Sequence, residues 1–529
     1  MNNMNHISIL DCTLRDGGYI NNWKFGENTI REIIGNLIFS GVEIVECGFL
    51  QDIVYHRDTA VFSCVSQIAP FIVPKQEGVL YVAMIALGDL APKKVLPCNG
   101  KSIDGIRLTF HKQEWPEAKR AASILMEKGY KVFIQPVGTT SYSDQELLNL
   151  IAEVNALHPF AFYLVDTLGI MYRHDLLRLF YLVEHNLNSD IQIGFHSHNN
   201  LQLSFANAQE LLRLNVQRDI IIDTSVYGMG RGVGNLSTEL LAEYINSNID
   251  SRYSISPLLK IADQYLMPIF SEQSWGYSLP YFLSAIENCH PNYASHLLKK
   301  ETLNIEDISK ILSLLPQDQR ELYHQELAEK LYLEYQSCQI EDESVLSELE
   351  QMTSGRPALL LAPGVSLNSC KSQIDAYIQR ERPLVIAVNF IPEGFESQIL
   401  FVSNRKRLDL LRSQLSKQDY VLATSNLIRE FPDSVKFVNY SSYLGEGQAA
   451  DNAGCILIRI LRKAGADRIA LAGFDGFDVD STNNYCVDYY KNPLEKRAAE
   501  QKNSDISRQL KLTLNGLEYT FLTPTRYRL

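Results

Sequence analysis

The chain has 529 residues, too many for one ordinary hydrophobic core, so two or more domains are expected. Its 46% hydrophobic and 21% charged content is that of a globular protein, and a formal net charge of −13 argues against nucleic acid as a partner. Nine cysteines without a Cys-x-x-Cys spacing fit reduced thiols, and no apolar run reaches about 18 residues, so neither a disulfide framework nor a membrane span is expected.

Between residues 7 and 230, short β-branched runs alternate with stretches of helical periodicity, the pattern of βα units with parallel strands. The runs are ISILDCT from residue 7, GVEIVECGF from 41, VLYVAMIAL from 79, GIRLTF from 105, KVFIQPV from 131, AFYLVDT from 161, IQIGFHSH from 191 and IIIDTSVYG from 220. Eight such units within residues 1–250 predict a closed (β/α)8 barrel, whose functional groups sit at the C-terminal strand ends. Arg15 and Asp16 end the first run, Asp166 and Thr167 the sixth, His196 and His198 the seventh, and Asp223 the eighth, so all fall on one rim. Side chains two apart on a strand share a face, and His196 and His198 therefore have the spacing of a chelate with Asp16 as a third donor. A lone His-x-His is more often polar surface; its place on a shared rim with a buried acid makes a divalent cation the better reading. The eighth run leads into GMGRGVGN, residues 228–235, where the glycines permit either a phosphate cradle or a tight turn carrying Asn235 over the metal.

Residues 251–350 read as a helical extension. The aromatic run 274–294, with Tyr277, Tyr281, His290 and Tyr293, is placed to close over the site or to pack as core. An acidic stretch, 339–351, marks a boundary. A second alternating pattern then fills 356–529 and predicts a smaller Rossmann-like, doubly wound α/β domain. Its strand ends offer Gly364, Ser366, Asn404, Arg405 and Asp475 as a ligand loop for a nucleotide or nucleotide sugar, although no G-x-G-x-x-G fingerprint is present. The start, MNNMNHISILDC, lacks a basic region followed by a long apolar stretch, so a cytoplasmic protein is expected.

The motifs TLRDGG, HSHNN and GMGRGVGN resemble those of the metal-dependent aldolase and acyltransferase superfamily that includes 4-hydroxy-2-oxovalerate aldolase and 3-hydroxy-3-methylglutaryl-CoA lyase. The resemblance covers about the first 240 residues. It implies a divalent metal, manganese or magnesium first and zinc as an alternative, held by Asp16, His196 and His198, with Asn235 as a further ligand. It also implies carbon–carbon bond formation or cleavage beside the carbonyl of a 2-oxo acid such as pyruvate, with an aldehyde or acyl partner and a homo-oligomeric assembly. Arg15 is then the donor to the oxygen on which charge develops, while Glu46, Gln135 and Thr167 line the substrate. One departure stands out: bacterial aldolases of this type carry a histidine base soon after the Arg-Asp pair, and Tyr19 takes that position here. His56 and His111 are the other candidates for the base. Short strings in the second domain resemble bacterial glycan-modifying proteins, which implies a link to surface-glycan biosynthesis. A Claisen-type acyltransferase using acetyl-CoA and a catalytically inactive glycan- or nucleotide-binding protein are the competing readings.

Overall fold

The computed structural model describes residues 7–529 apart from 215, 301, 321, 432–434, 448, 479–483 and 488–495. The eight expected runs form parallel strands: β1 (Ile7–Asp11), β2 (Ile44–Leu50), β3 (Leu80–Ala86), β4 (Gly105–Phe110), β5 (Lys131–Pro136), β6 (Ala161–Asp166), β7 (Gln192–Ser197) and β8 (Ile220–Thr224). They pair in chain order, and β1 bonds to both β8 and β2, which closes the sheet into a (β/α)8 barrel. A two-residue strand, Val61–Phe62, adds to β2 without taking part in the closure.

Strand alternation sorts the side chains into two layers. Leu10, Ile44, Val82, Phe133, Tyr163 and Ile221 fill the barrel interior, while Ile9, Val45, Ala83, Ile134, Phe162 and Ile222 pack outward against the helices. The same parity puts Glu46, Arg107, Gln135, His196 and Asp223 on inward-facing rows. The helices follow ordinary local rules. The one over Asp144–Leu157 starts with a capping box in which Glu146 accepts from the Ser143 amide at 2.9 Å, and it buries Leu147, Leu150, Ile151 and Val154 along one stripe. The helix over Glu27–Ser40 stops at Gly41, whose φ of 92° a side chain would resist.

The chain divides into two compact units, one of Met1–Ser295 with Pro316–Tyr323 and the other of His296–Leu315 with His324–Leu529. The helical stretch expected over 251–350 is thus apportioned between them. The second unit holds seven parallel strands: β9 (Ala358–Leu361), β10 (Leu384–Val388), β11 (Ile399–Val402), β12 (Val421–Thr424), β13 (Lys436–Val438), β14 (Arg468–Ala472) and β15 (Glu518–Phe521). Their order is β13-β12-β11-β10-β9-β14-β15, so the winding reverses between β9 and β14. Ala358 and Leu360 enter one apolar layer and Leu359 and Leu361 the other, which shows a sheet covered on both faces. The last strand, β15, has no counterpart in the sequence reading.

Candidate active site at the barrel mouth

Asp16 follows β1, and His196 and His198 close β7, so that one ligand atom from each lies within 4.8 Å of the others. Asp16 Oδ2 is 3.8 Å from the Nε2 of each histidine. Asp223 at the end of β8 accepts from His196 Nδ1 at 2.9 Å, which fixes the tautomer that leaves Nε2 unprotonated and facing Asp16. Asn235, brought in by the glycine-rich loop, donates to Asp16 Oδ2 at 2.6 Å, while its own Oδ1 is buried and has no hydrogen-bond partner among the described residues. A buried orphan oxygen beside one carboxylate and two imidazole lone pairs suits a divalent cation with mixed oxygen and nitrogen donors. The four residues named from the sequence therefore do meet, and their chemistry fits the ion.

Beneath them lies a charged network. Arg15 Nε donates to Glu46 Oε2 at 2.9 Å and its Nη1 lies 3.3 Å from Asp16 Oδ1, whereas Nη2 is buried without a partner. Arg107, fully buried on β4, donates to Glu46 Oε2 at 2.6 Å and also to Asp223 Oδ2. With its amide oriented to satisfy both sides, Gln135 accepts from Arg107 Nε at 2.7 Å. Two guanidiniums thus face the three carboxylates of Asp16, Glu46 and Asp223, leaving one negative charge in the cluster when both histidines are neutral. Burial alone would raise Asp16, but Arg15, His198, His196 and the Asn235 amide outweigh it and hold the carboxyl well below its usual range. Burial pushes His198 down to about 4, so its imidazole is neutral and able to coordinate at physiological pH.

Sequence reasoning missed Arg107. The available signal was a charged residue in the apolar run GIRLTF, on the row that alternation aims inward. Glu46 and Gln135, read as lining the substrate, are bonded to Arg107 instead, and Glu46 also anchors Arg15. Thr167 accepts from the Gly138 amide at 2.9 Å. Of the three candidate bases, Tyr19 stands nearest the site, with its amide donating to the Asp16 carbonyl at 3.2 Å. Its phenol is raised above 10, first by the loss of surrounding solvent and then by Asp16, which makes it a hydrogen-bond donor at neutral pH and not a resting base. His56 is exposed, and the His111 amide donates to Glu114 at 2.7 Å at the head of a short turn. Among the described hydrogen bonds and ion pairs, neither joins the Asp16 cluster.

The aromatic run 274–294 reaches the glycine-rich loop. Trp275 Nε1 donates to the Tyr227 carbonyl at 3.0 Å, the Tyr281 ring lies against Gly232, and His290 Nε2 meets Arg231. Gly234 is needed at its position: with φ at 88°, a Cβ would stand 2.0 Å from the Gly228 carbonyl oxygen.

Residues 112–264 match the model of the HMGL-like family. Those residues, which run from the turn after β4 to the helices beyond β8, are similar to an HMGL-like domain. That match includes His196, His198 and Asn235, and Arg15 and Asp16 lie ahead of it. Over 251 residues, 44% of this chain and 68% of the relative, the chain is 28% identical to a Mycobacterium tuberculosis protein named oxaloacetate decarboxylase. It is 24% identical over 274 residues, 50% of this chain and 77% of the relative, to a 4-hydroxy-2-oxovalerate aldolase of Geobacillus genomosp. 3. Among solved structures it resembles the N-terminal domain of a putative aldolase from Bacteroides vulgatus, at 24% identity and a TM-score of 0.50, covering 58% of this chain and 100% of that one. This last likeness supports the fold of the barrel alone. Among the described residues no helix is long and apolar enough to cross a membrane.

The second unit's strand ends look different. Asp475 Oδ2 accepts from the Ser366 amide at 2.7 Å and Oδ1 accepts from its hydroxyl, so the amide expected to face a phosphate is already bonded to a carboxylate. A Cβ on Gly364 would stand 2.3 Å from the Gly473 carbonyl oxygen, so this glycine lets the loops after β9 and β14 touch. Asn404 caps the helix over Arg405–Leu411 by accepting from the Arg407 amide at 3.3 Å. Arg405 pairs with Asp409 at 3.2 Å and with Glu430.

Proposed function

We propose that this chain is a divalent-metal-dependent carbon–carbon lyase or aldolase acting on a 2-oxo acid such as pyruvate. The observation that carries the reading is the convergence of Asp16, His196, His198 and the orphaned Asn235 Oδ1 beside Arg15, whose Nη2 has no partner among the described residues. A cation held by those four residues would act as a Lewis acid toward the keto and carboxylate oxygens of the substrate.

The chain's own groups have distinct tasks. Glu46 and Asp16 engage two nitrogens of Arg15 and leave Nη2 to donate to a substrate oxygen as negative charge grows there. Such a preset donor contributes most in a site shielded from water, and removing one comparable donor costs about 100- to 1,000-fold in rate. Asp223, itself held by Arg107, keeps His196 in the coordinating tautomer. Tyr19, its phenol protonated, would serve as a further donor at the mouth. Both named relatives bear the names of enzymes of this class.

The test is exchange of pyruvate methyl protons for deuterium by the full-length chain with manganese or magnesium. Exchange that stops on chelation and falls by about 1,000-fold or more in Asp16→Ala is expected. Exchange indifferent to metal and to both Asp16→Ala and Arg15→Ala contradicts the proposal. Thiol release from acetyl-CoA on adding 2-oxo acids would redirect it to acyl transfer.

A further inference from the structure

Arg231, at the centre of the glycine-rich loop, has no carboxylate in direct contact among the described residues. Its guanidinium stands 5.6 Å from the centroid of the Tyr19 ring and meets His290 Nε2. His290 is buried. Burial, and then the nearby Arg231, push this imidazole down to about 3, so it is neutral and supplies no countercharge. Arg107 is the contrast: a guanidinium of the same barrel that bonds two carboxylates.

The position of Arg231 is also set. The loop that bears it packs on Tyr281 at Gly232 and is tied through Tyr227 to Trp275. The Gly234 amide donates to the Arg231 carbonyl at 3.1 Å, and Asn235 follows directly, so the cation and a proposed metal ligand belong to one turn. Across the mouth, the Tyr19 ring stands 6.2 Å from that of Phe49, and the Arg15 guanidinium lies 6.0 Å from the same Phe49 ring. Two cations thus flank one aromatic group, Arg15 buried beside Asp16 and Arg231 half-buried. A partly desolvated guanidinium in a fixed frame is matched by an anionic oxygen pair.

We propose that Arg231 binds a second anionic group, a carboxylate or a phosphate, at the end of the substrate remote from its 2-oxo acid, so that the substrates are dianionic. The inference rests on the 2-oxo acid reading for which end of the ligand faces Arg15. It makes Arg231 a specificity-determining residue for the partner half of the substrate, the half about which Tyr19 is silent.

Calorimetric binding to the manganese-loaded full-length chain tests it, with 2-oxoglutarate and 2-oxopentanoate as probes of equal length that differ in the distal carboxylate. The diacid is expected to bind about 10- to 100-fold more tightly, the effect of one charge-assisted hydrogen-bonded pair. That ratio falls toward one in Arg231→Ala and is partly kept in Arg231→Lys. A ratio near one in the wild type, failure of both probes to bind, or a ratio unchanged in Arg231→Ala overturns the proposal. The analogue with a phosphonate in place of the distal carboxylate tells the sources apart: tighter than the diacid, it identifies phosphate, and weaker, carboxylate. Pyruvate exchange measured on the same preparation separates the two claims. Exchange with a ratio near one leaves the lyase reading standing without the anion site, and a high ratio without exchange leaves the anion site standing without the lyase reading.

Discussion

Both units end their parallel strands in polar residues, yet the groups named from the sequence behave differently in the two. At the barrel mouth the strand-end groups point to one centre and leave Asn235 Oδ1 and Arg15 Nη2 buried without partners. On the open sheet, Asp475 bonds Ser366, Asn404 caps a helix, and Arg405 is paired with Asp409 and Glu430, so the polar groups singled out there already have protein partners. Polar residues at strand ends therefore do not by themselves make a site. What distinguishes the barrel is closure, which forces charges from several strands to share one interior and keeps them from spreading over an edge.

The largest expected break in that contrast is at Arg107. Arg107→Met leaves Glu46 and Asp223 buried without their common cation, and a loss of about 3–5 kcal/mol is expected, read as a lower melting temperature of the barrel. Neutralising both acids in the same variant should recover much of the stability. Next is a pH effect confined to the barrel. Burial raises Asp11, on the outward row of β1, to about 6, against bonds from Thr238 and the Thr13 amide that lower it. Because the unfolded carboxyl titrates near 4, the native state holds its proton while the unfolded state loses it as pH rises from about 4 to about 6. Asp11 thus disfavours the native state increasingly across that window, by at most about 3 kcal/mol. Asp11→Asn should flatten the fall in melting temperature between pH 4 and pH 7 in metal-free protein.

Asp223→Asn should retain the fold and weaken manganese binding by about 10- to 100-fold, since His196 loses the acceptor that sets its tautomer. The smallest effect is expected in the second unit: Asp475→Ala removes the bonds to Ser366 and costs about 0.5–2 kcal/mol. That loss should be the same with and without manganese. A cost that depends on metal would break the contrast between the units.

How far the sequence could be read follows the same division. The eight strand runs were legible because each is short, apolar and β-branched, and Asp16, His196 and His198 were legible because a barrel puts every strand end on one rim. Arg107 was not, since its partners Glu46 and Asp223 are 61 and 116 residues away and only the closed barrel brings them together. In the second unit every strand but β15 was legible, but Ser366 and Asp475 are 109 residues apart, and a linear pattern does not separate mutual partners from ligand-binding groups. A phenol is already a poor base at neutral pH, and partial loss of solvent and the nearby Asp16 raise it further, which explains why Tyr19 does not replace the missing histidine.

Titration of the metal-free full-length chain with manganese, followed by the paramagnetic signal of the free ion, tests the central claim most directly. One ion per chain is expected, with binding lost in Asp16→Ala and in His196→Ala while both variants keep the wild-type helical content. Absence of stoichiometric binding in the wild type, or binding that survives both substitutions, would contradict a metal centre at the barrel mouth.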